Sequence, residues 1–306
     1  MPPPNRSAGR NVHIYDANDP VTVLGGLLLT PGLSNANFYS MLEILIAPTD
    51  DIIQDEPYFF VRNESDTRID RDANMLQPGK YFIVATGRFQ VNNEPWLVRT
   101  ISRATGTRAA AFTEAVRSRD RRCVISGAIV HTFDGVDFWD GFEAAHIFPL
   151  AYEGDWIGHN YGRWITIPAA KGGSINSVQN GLLLDSAIHQ LFDAYYMSIN
   201  PDDNYKVVVF RPNSRVVGGQ NLDPAYFARP DAPAASLLRW HFRQAVLANM
   251  RGAGEPVLEH DFPPGSDIVG QIRLGPKPAA RMEFELFGRL SAQMELLQAR
   301  EHASSH

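Results

Sequence analysis

The sequence predicts an α+β protein on three observations: short strand-like runs at the front, a strand–loop–helix stretch in the middle, and amphipathic helices at the end. With 306 residues, 44% of them hydrophobic, the chain has room for two ordinary domains. Its composition is neither that of a disordered chain nor that of a coiled coil. The expected division is a β-rich part over 1–110, a middle domain over 111–215 and a helical extension over 216–306.

The front segments Val12 to Tyr15, Val21 to Leu29, Phe38 to Ile46, Tyr58 to Val61 and Tyr81 to Ala85 are rich in β-branched and aromatic residues. Asp, Asn, Gly and Pro separate them, so all five are expected as strands. This part has no clustered His, Cys or Ser with a catalytic partner, and reads as a recognition or packing module. Thr113 to Arg119 is expected as a short helix. In the middle, Asp185 stands where a helix N-cap belongs, and Ile188, Leu191, Phe192 and Tyr195 recur at helical spacing behind it. Further helices are expected from about Pro233 to Met250 and from Ala279 to about Glu301.

Charge and cysteine usage narrow the classes. The formal charge of -6 is not that of a general nucleic-acid binder. Its distribution matters more, because seven arginines between Arg99 and Arg122 face only Glu114 and Asp120. That run is either a solvated helix face or a surface that attracts a polyanion. The single cysteine, Cys123, excludes an internal disulfide and fits a reducing compartment. No apolar run approaches the roughly 20 residues of a membrane span. The opening Met-Pro-Pro-Pro-Asn-Arg lacks the apolar core of a secretion signal. An intracellular location, nuclear or cytoplasmic, without membrane association is therefore expected.

The chemistry concentrates in the middle domain. His189 and Asp193 are i and i+4 on the helix, so they project from neighbouring turns, where imidazole and carboxylate can share a divalent cation. Such pairs also occur as ordinary surface contacts. Upstream, Phe142-Glu143-Ala144-Ala145-His146-Ile147-Phe148-Pro149 is strand-like and ends at a proline turn. On a strand Glu143 and Ala145 share one face, while Ala144 and His146 share the other.

Cys123-Val124-Ile125-Ser126-Gly127, Glu143-Ala144-Ala145-His146-Ile147-Phe148-Pro149, Asn180-Gly181-Leu182-Leu183-Leu184 and His189-Gln190-Leu191-Phe192-Asp193 follow one another in that order. The arrangement resembles the HNH endonucleases of the ββα-metal superfamily, over roughly the 90 residues from Arg121 to Phe210. The resemblance implies a ββα-metal core and single-metal hydrolysis of a phosphodiester, with DNA as the expected partner. It implies that His146 deprotonates water, that Asn180 ties the long loop to the strand and helps orient that histidine, and that His189 and Asp193 bind the metal. Imidazole suits the first role because it accepts a proton near neutral pH. The expected cofactor is one divalent ion, Mg²⁺ first, with Mn²⁺, Ni²⁺ or Zn²⁺ as alternatives.

Two departures stand out. Many members place a metal-binding Asp or His immediately before the base histidine, where this chain has Ala145. Glu143, on the same strand face, is the expected substitute, with water completing the shell of a Mg²⁺ ion. Relatives with a Cys-x-x-Cys turn bind a structural zinc, whereas here Ser126 takes the second place and no structural zinc is expected. The segment from Cys123 to Phe210 has ten acidic residues against three basic ones. Nucleic-acid contact is accordingly expected from Arg119, Arg121 and Arg122, and from Lys171 in a glycine-flanked loop. Two other readings stay open: an HNH scaffold that binds without cutting, and a structural protein in which His146 and His189 lie far apart.

Overall fold

The computed structural model describes residues 6–7, 9–49, 58–97, 107–169 and 171–252. The expected helix from Ala279 to Glu301 lies outside them, as do Arg99 and Arg103. Ser7–Glu255 forms one compact unit, and the α+β class holds within it.

The front half begins with a hairpin of β1 (Val12–Asp16) and β2 (Asp19–Leu27). The next segment, expected as a strand, is instead helix α1 (Asn35–Leu45). Ser34 and Asn37 explain the difference. The Ser34 hydroxyl accepts from the Asn37 N–H and the Asn37 side chain accepts from the Ser34 N–H, a reciprocal cap that starts a helix. Phe38, Met41, Leu42 and Leu45 then share one buried stripe. After α1 come β3 (Ile46–Pro48), β4 (Phe59–Asn63), β5 (Arg68–Ile69), β6 (Gly79–Ala85) and β7 (Phe89–Val91). One sheet has the order β2-β1-β6-β4-β5, with β1 and β6 parallel, and β3 pairs with β7. The helix lies on this sheet, with Phe38 against Tyr81 and Tyr39 stacked on Phe59.

The second half opens with helix α2 (Thr107–Asp120), twice the expected length. A small hairpin, β8 (His131–Phe133) and β9 (Val136–Phe138), leads into β10 (Phe142–His146). A long loop carrying α3 (Glu153–Gly158) returns to β11 (Gly181–Asp185), which pairs antiparallel with β10. Helix α4 (Ser186–Asp193) follows at once, capped by the Asp185 carboxylate on the Ala187 N–H. The hairpin β12 (Met197–Asn200) and β13 (Lys206–Val209), the short α5 (Pro224–Phe227) and α6 (Ala235–Met250) complete the described chain. No helix among the described residues is long and apolar enough to cross a membrane.

Polar contacts join the two halves. Arg10 donates to the carbonyls of Asn249 and Gly252 at the end of α6, both at 2.6 Å. Arg243 pairs with Glu94 at 2.6 Å, and Thr30 donates to the Val209 carbonyl at 2.5 Å. At the sheet edge, Gly25 of β2 bridges to Arg251 and the Gly252 N–H donates to Leu24. Only glycine fits at position 25, since a Cβ there would fall on the Met250 carbonyl oxygen.

Candidate functional site

The β10–β11 hairpin presents two faces, set by strand alternation. Register pairs Glu143 with Leu184, Ala145 with Leu182 and His146 with Gly181. Ala145, Leu182 and Leu184 join the large core with Ile188 and Phe192 of α4. Leu183 joins a smaller cluster with Phe112 and Val116 of α2, against which Ala144 packs. The hairpin is thus held between α4 on one side and α2 on the other.

On the α4 side, Glu143, His189 and Asp193 come together. The His189 Nδ1 lies 2.5 Å from Glu143 Oε2, and its Nε2 lies 3.2 Å from Asp193 Oδ2. Burial works against a charged imidazole here. The hydrogen bond and charge of Asp193, then those of Glu143, outweigh it and hold the His189 pKa above the ordinary histidine value. The two carboxylates take opposite edges of the ring, so in these positions they cannot share one ion with His189. No group of three or more His, Cys, Asp or Glu among the described residues is arranged around a single point. The pair His189 and Asp193 does fit a cation. Their 3.2 Å separation is close to the roughly 3.0 Å edge between adjacent ligands about 2.1 Å from an octahedral centre.

On the α2 side, His146 ends β10 and stacks on Phe112, with ring centroids 3.7 Å apart and planes at 12°. Glu143 and His146 are separated by about 10 Å of strand and by the change of face. Asn180 is fully buried and ties the long loop to the residues after His146. Its backbone carbonyl accepts from Ile147 and its side-chain oxygen from Phe148, both at 2.8 Å. Its amide donates to Phe148 and Ile175 carbonyls at 3.1 and 2.8 Å. Cys123 is buried, and the Ser126 N–H donates to its sulfur at 3.4 Å.

Of the residues expected to meet nucleic acid, Arg121, Arg122 and Lys171 are exposed, with Arg121 paired to Asp137 at 2.6 Å. Arg119 is corrected: its side chain is 1% exposed and its guanidinium has no hydrogen left for phosphate. It donates to both Asp120 oxygens and to the carbonyls of Val178, Gly181 and Asp231, using all five N–H groups. Asp120 in turn accepts from the Leu183 N–H and the Tyr226 hydroxyl, both at 2.9 Å. This buried knot clamps α2 onto β11. Sequence reasoning also passed over Phe112, although Phe112, Val116 and Arg119 stand at i, i+4 and i+7 and so mark one face of a helix.

Residues 123–200 match the family model described as HNH endonuclease. This segment belongs to the HNH endonuclease family. The HNH segment contains the β10–β11–α4 unit with Glu143, His146, Asn180, His189 and Asp193, and its family supports a nuclease-type function. Residues 9–90, the β-rich front, match a model described as a domain of unknown function. No curated protein matches the chain. Among solved structures, a modification dependent TagI restriction endonuclease aligns over 78% of this chain and 82% of its own, at 17% identity and a TM-score of 0.27. A score that low establishes no common fold.

Proposed function

We propose that the chain is a metal-dependent endonuclease that hydrolyses phosphodiester bonds in DNA. The observation that carries this reading is the His189–Asp193 pair on α4, beneath a hairpin that ends at His146. Two protein ligands suit a hard cation that keeps several waters, Mg²⁺ before the others, better than a four-coordinate zinc. Such an ion would supply charge stabilisation at the phosphate and the leaving oxygen. Glu143, on the other ring nitrogen, holds the His189 tautomer that leaves Nε2 facing Asp193. His146 takes the proton of the attacking water as the new P–O bond forms and the bond to the leaving oxygen breaks. Asn180 fixes the chain after His146, and the exposed Arg121, Arg122 and Lys171 meet the DNA backbone. A nuclear or cytoplasmic setting, with its reducing conditions, goes with this substrate and with the lone Cys123.

A second reading, a scaffold that binds nucleic acid or protein without cutting, is favoured by one observation. His146 faces α2 while His189 faces α4, and Ala145 between them supplies no ligand. Plasmid cleavage with Mg²⁺, Mn²⁺ or Ni²⁺ and an EDTA control separates the two. The nuclease reading expects metal-dependent cutting that His146→Ala and His189→Ala each abolish. Metal binding without cutting on plasmid, single-stranded DNA or RNA overturns it in favour of the scaffold.

A further inference from the structure

We propose that Phe112 is a positioning residue for His146, and that Gly181 is glycine so that Phe112 can reach it. The inference rests on the reading of His146 as the general base and adds a residue that lies before the HNH segment. Three features carry it. The rings are nearly parallel at 3.7 Å, close enough that rotating the imidazole about its Cβ–Cγ bond would drive it into the phenyl ring. Phe112 itself is 3% exposed and packed with Val116, Val130 and Leu183, so it is a fixed wall. Finally, Gly181 is the cross-strand partner of His146, and a Cβ there would lie 2.7 Å from Phe112 Cζ and 2.6 Å from Val116 Cγ2. Any side chain at 181 would push α2 away and open the stack.

The wall is also anchored. Arg119 and Asp120, two turns along the same helix, bond to the Gly181 carbonyl and the Leu183 N–H. Strand β11, and through its pairing β10 with His146, is thereby registered against α2. Stacking covers one face of the imidazole, and its Nε2 is buried beside the same wall. Loss of the stack would leave the proton acceptor present but badly aimed, and misplacement by about 1 Å can cost on the order of 100-fold in rate.

The experiment combines Phe112→Leu, Phe112→Tyr and Gly181→Ala with two readouts. Histidine ring protons are followed by NMR in the full chain, with His146→Gln assigning the His146 signals. Steady-state cleavage separates kcat from KM. The His146 signals of the wild type should show an upfield ring-current shift that Phe112→Tyr keeps and that Phe112→Leu and Gly181→Ala lose, while the other histidine signals stay in place as the check on folding. In parallel, kcat should fall tenfold or more in Phe112→Leu at nearly unchanged KM, and Phe112→Tyr should restore it. A His146 signal without the shift, or kcat unchanged when the shift is lost, overturns the proposal. A wild type that cuts nothing overturns the nuclease reading and the catalytic role with it, while the ring-current shift still decides whether Phe112 seats His146.

Discussion

Arg119 illustrates how one side chain can change category between sequence and structure. In an arginine run it reads as a phosphate contact, yet it is the centre of a buried ion pair with every donor engaged. Deleting one member of such a pair strands the other, at a cost of about 3–5 kcal/mol. Arg119→Ala should therefore lower the urea midpoint strongly, whereas Arg122→Ala should leave it in place. On the proposed nuclease function, Arg122→Ala should instead weaken DNA binding and reduce the salt slope by about 0.9. His189 gives a second residue-scale prediction. Its pKa is held above the ordinary value by Asp193 and Glu143, so a cation must compete with a proton held more tightly than on a free histidine. Metal affinity should fall as pH drops through the raised pKa, approaching tenfold per unit, and binding should release a proton measurable by calorimetry in two buffers. Without metal the sign reverses. The stabilisation from the two ion pairs is complete below about 6.5 and disappears as pH climbs past the raised value. His189, Asp193 and Glu143 were legible because helix and strand periodicity alone set their faces. Which ring nitrogen each carboxylate takes was not, because that depends on tertiary placement.

At the scale of elements, β10 and α4 were the most legible parts, through the strand-like run before Pro149, the Asp185 cap and the Ile188, Leu191, Phe192 spacing; Tyr195, expected on the same stripe, lies past the helix end at Asp193 with φ +58°. Helix α1 was not legible. Phe38 to Ile46 is apolar enough to suit either structure, and the decision rests with Ser34 and Asn37, a cap made by asparagine where Glu or Gln is the commoner signal. The long loop between β10 and β11 depends on Asn180. Its side chain satisfies one N–H and two carbonyls in a site with no access to water. Asn180→Ala should cost about 1–3 kcal/mol for a group left bare. Faster amide exchange at Ile147 and Phe148 would report the loosened loop, and unchanged protection there would contradict this account.

At the scale of the whole described chain, the β-rich front and the HNH segment meet through Arg10, Thr30, Glu94 and Gly25, contacts that no local pattern announces. A fragment of residues 107–252 should thus fail to fold alone, since it would expose the α6 surface and strand Arg243 and Arg251. The full chain should unfold in one transition seen alike by tryptophan fluorescence and far-ultraviolet circular dichroism. Two separated transitions would show that the halves are independent.

The bridge from Gly25 to Arg251 also sets an order of events during synthesis. The front sheet leaves the ribosome early, but β2 is its edge, and part of that edge is covered only when the residues after α6 arrive. Until then the nascent chain carries an open strand, the kind of surface on which stray chains add. Helix α6, which arrives just before those residues, stacks His241 on Phe192 of α4. Chains that stop early, through truncation or premature termination, would emerge with that edge still open, so the last turn of α6 and the residues after it act as a closing latch on a sheet made long before them.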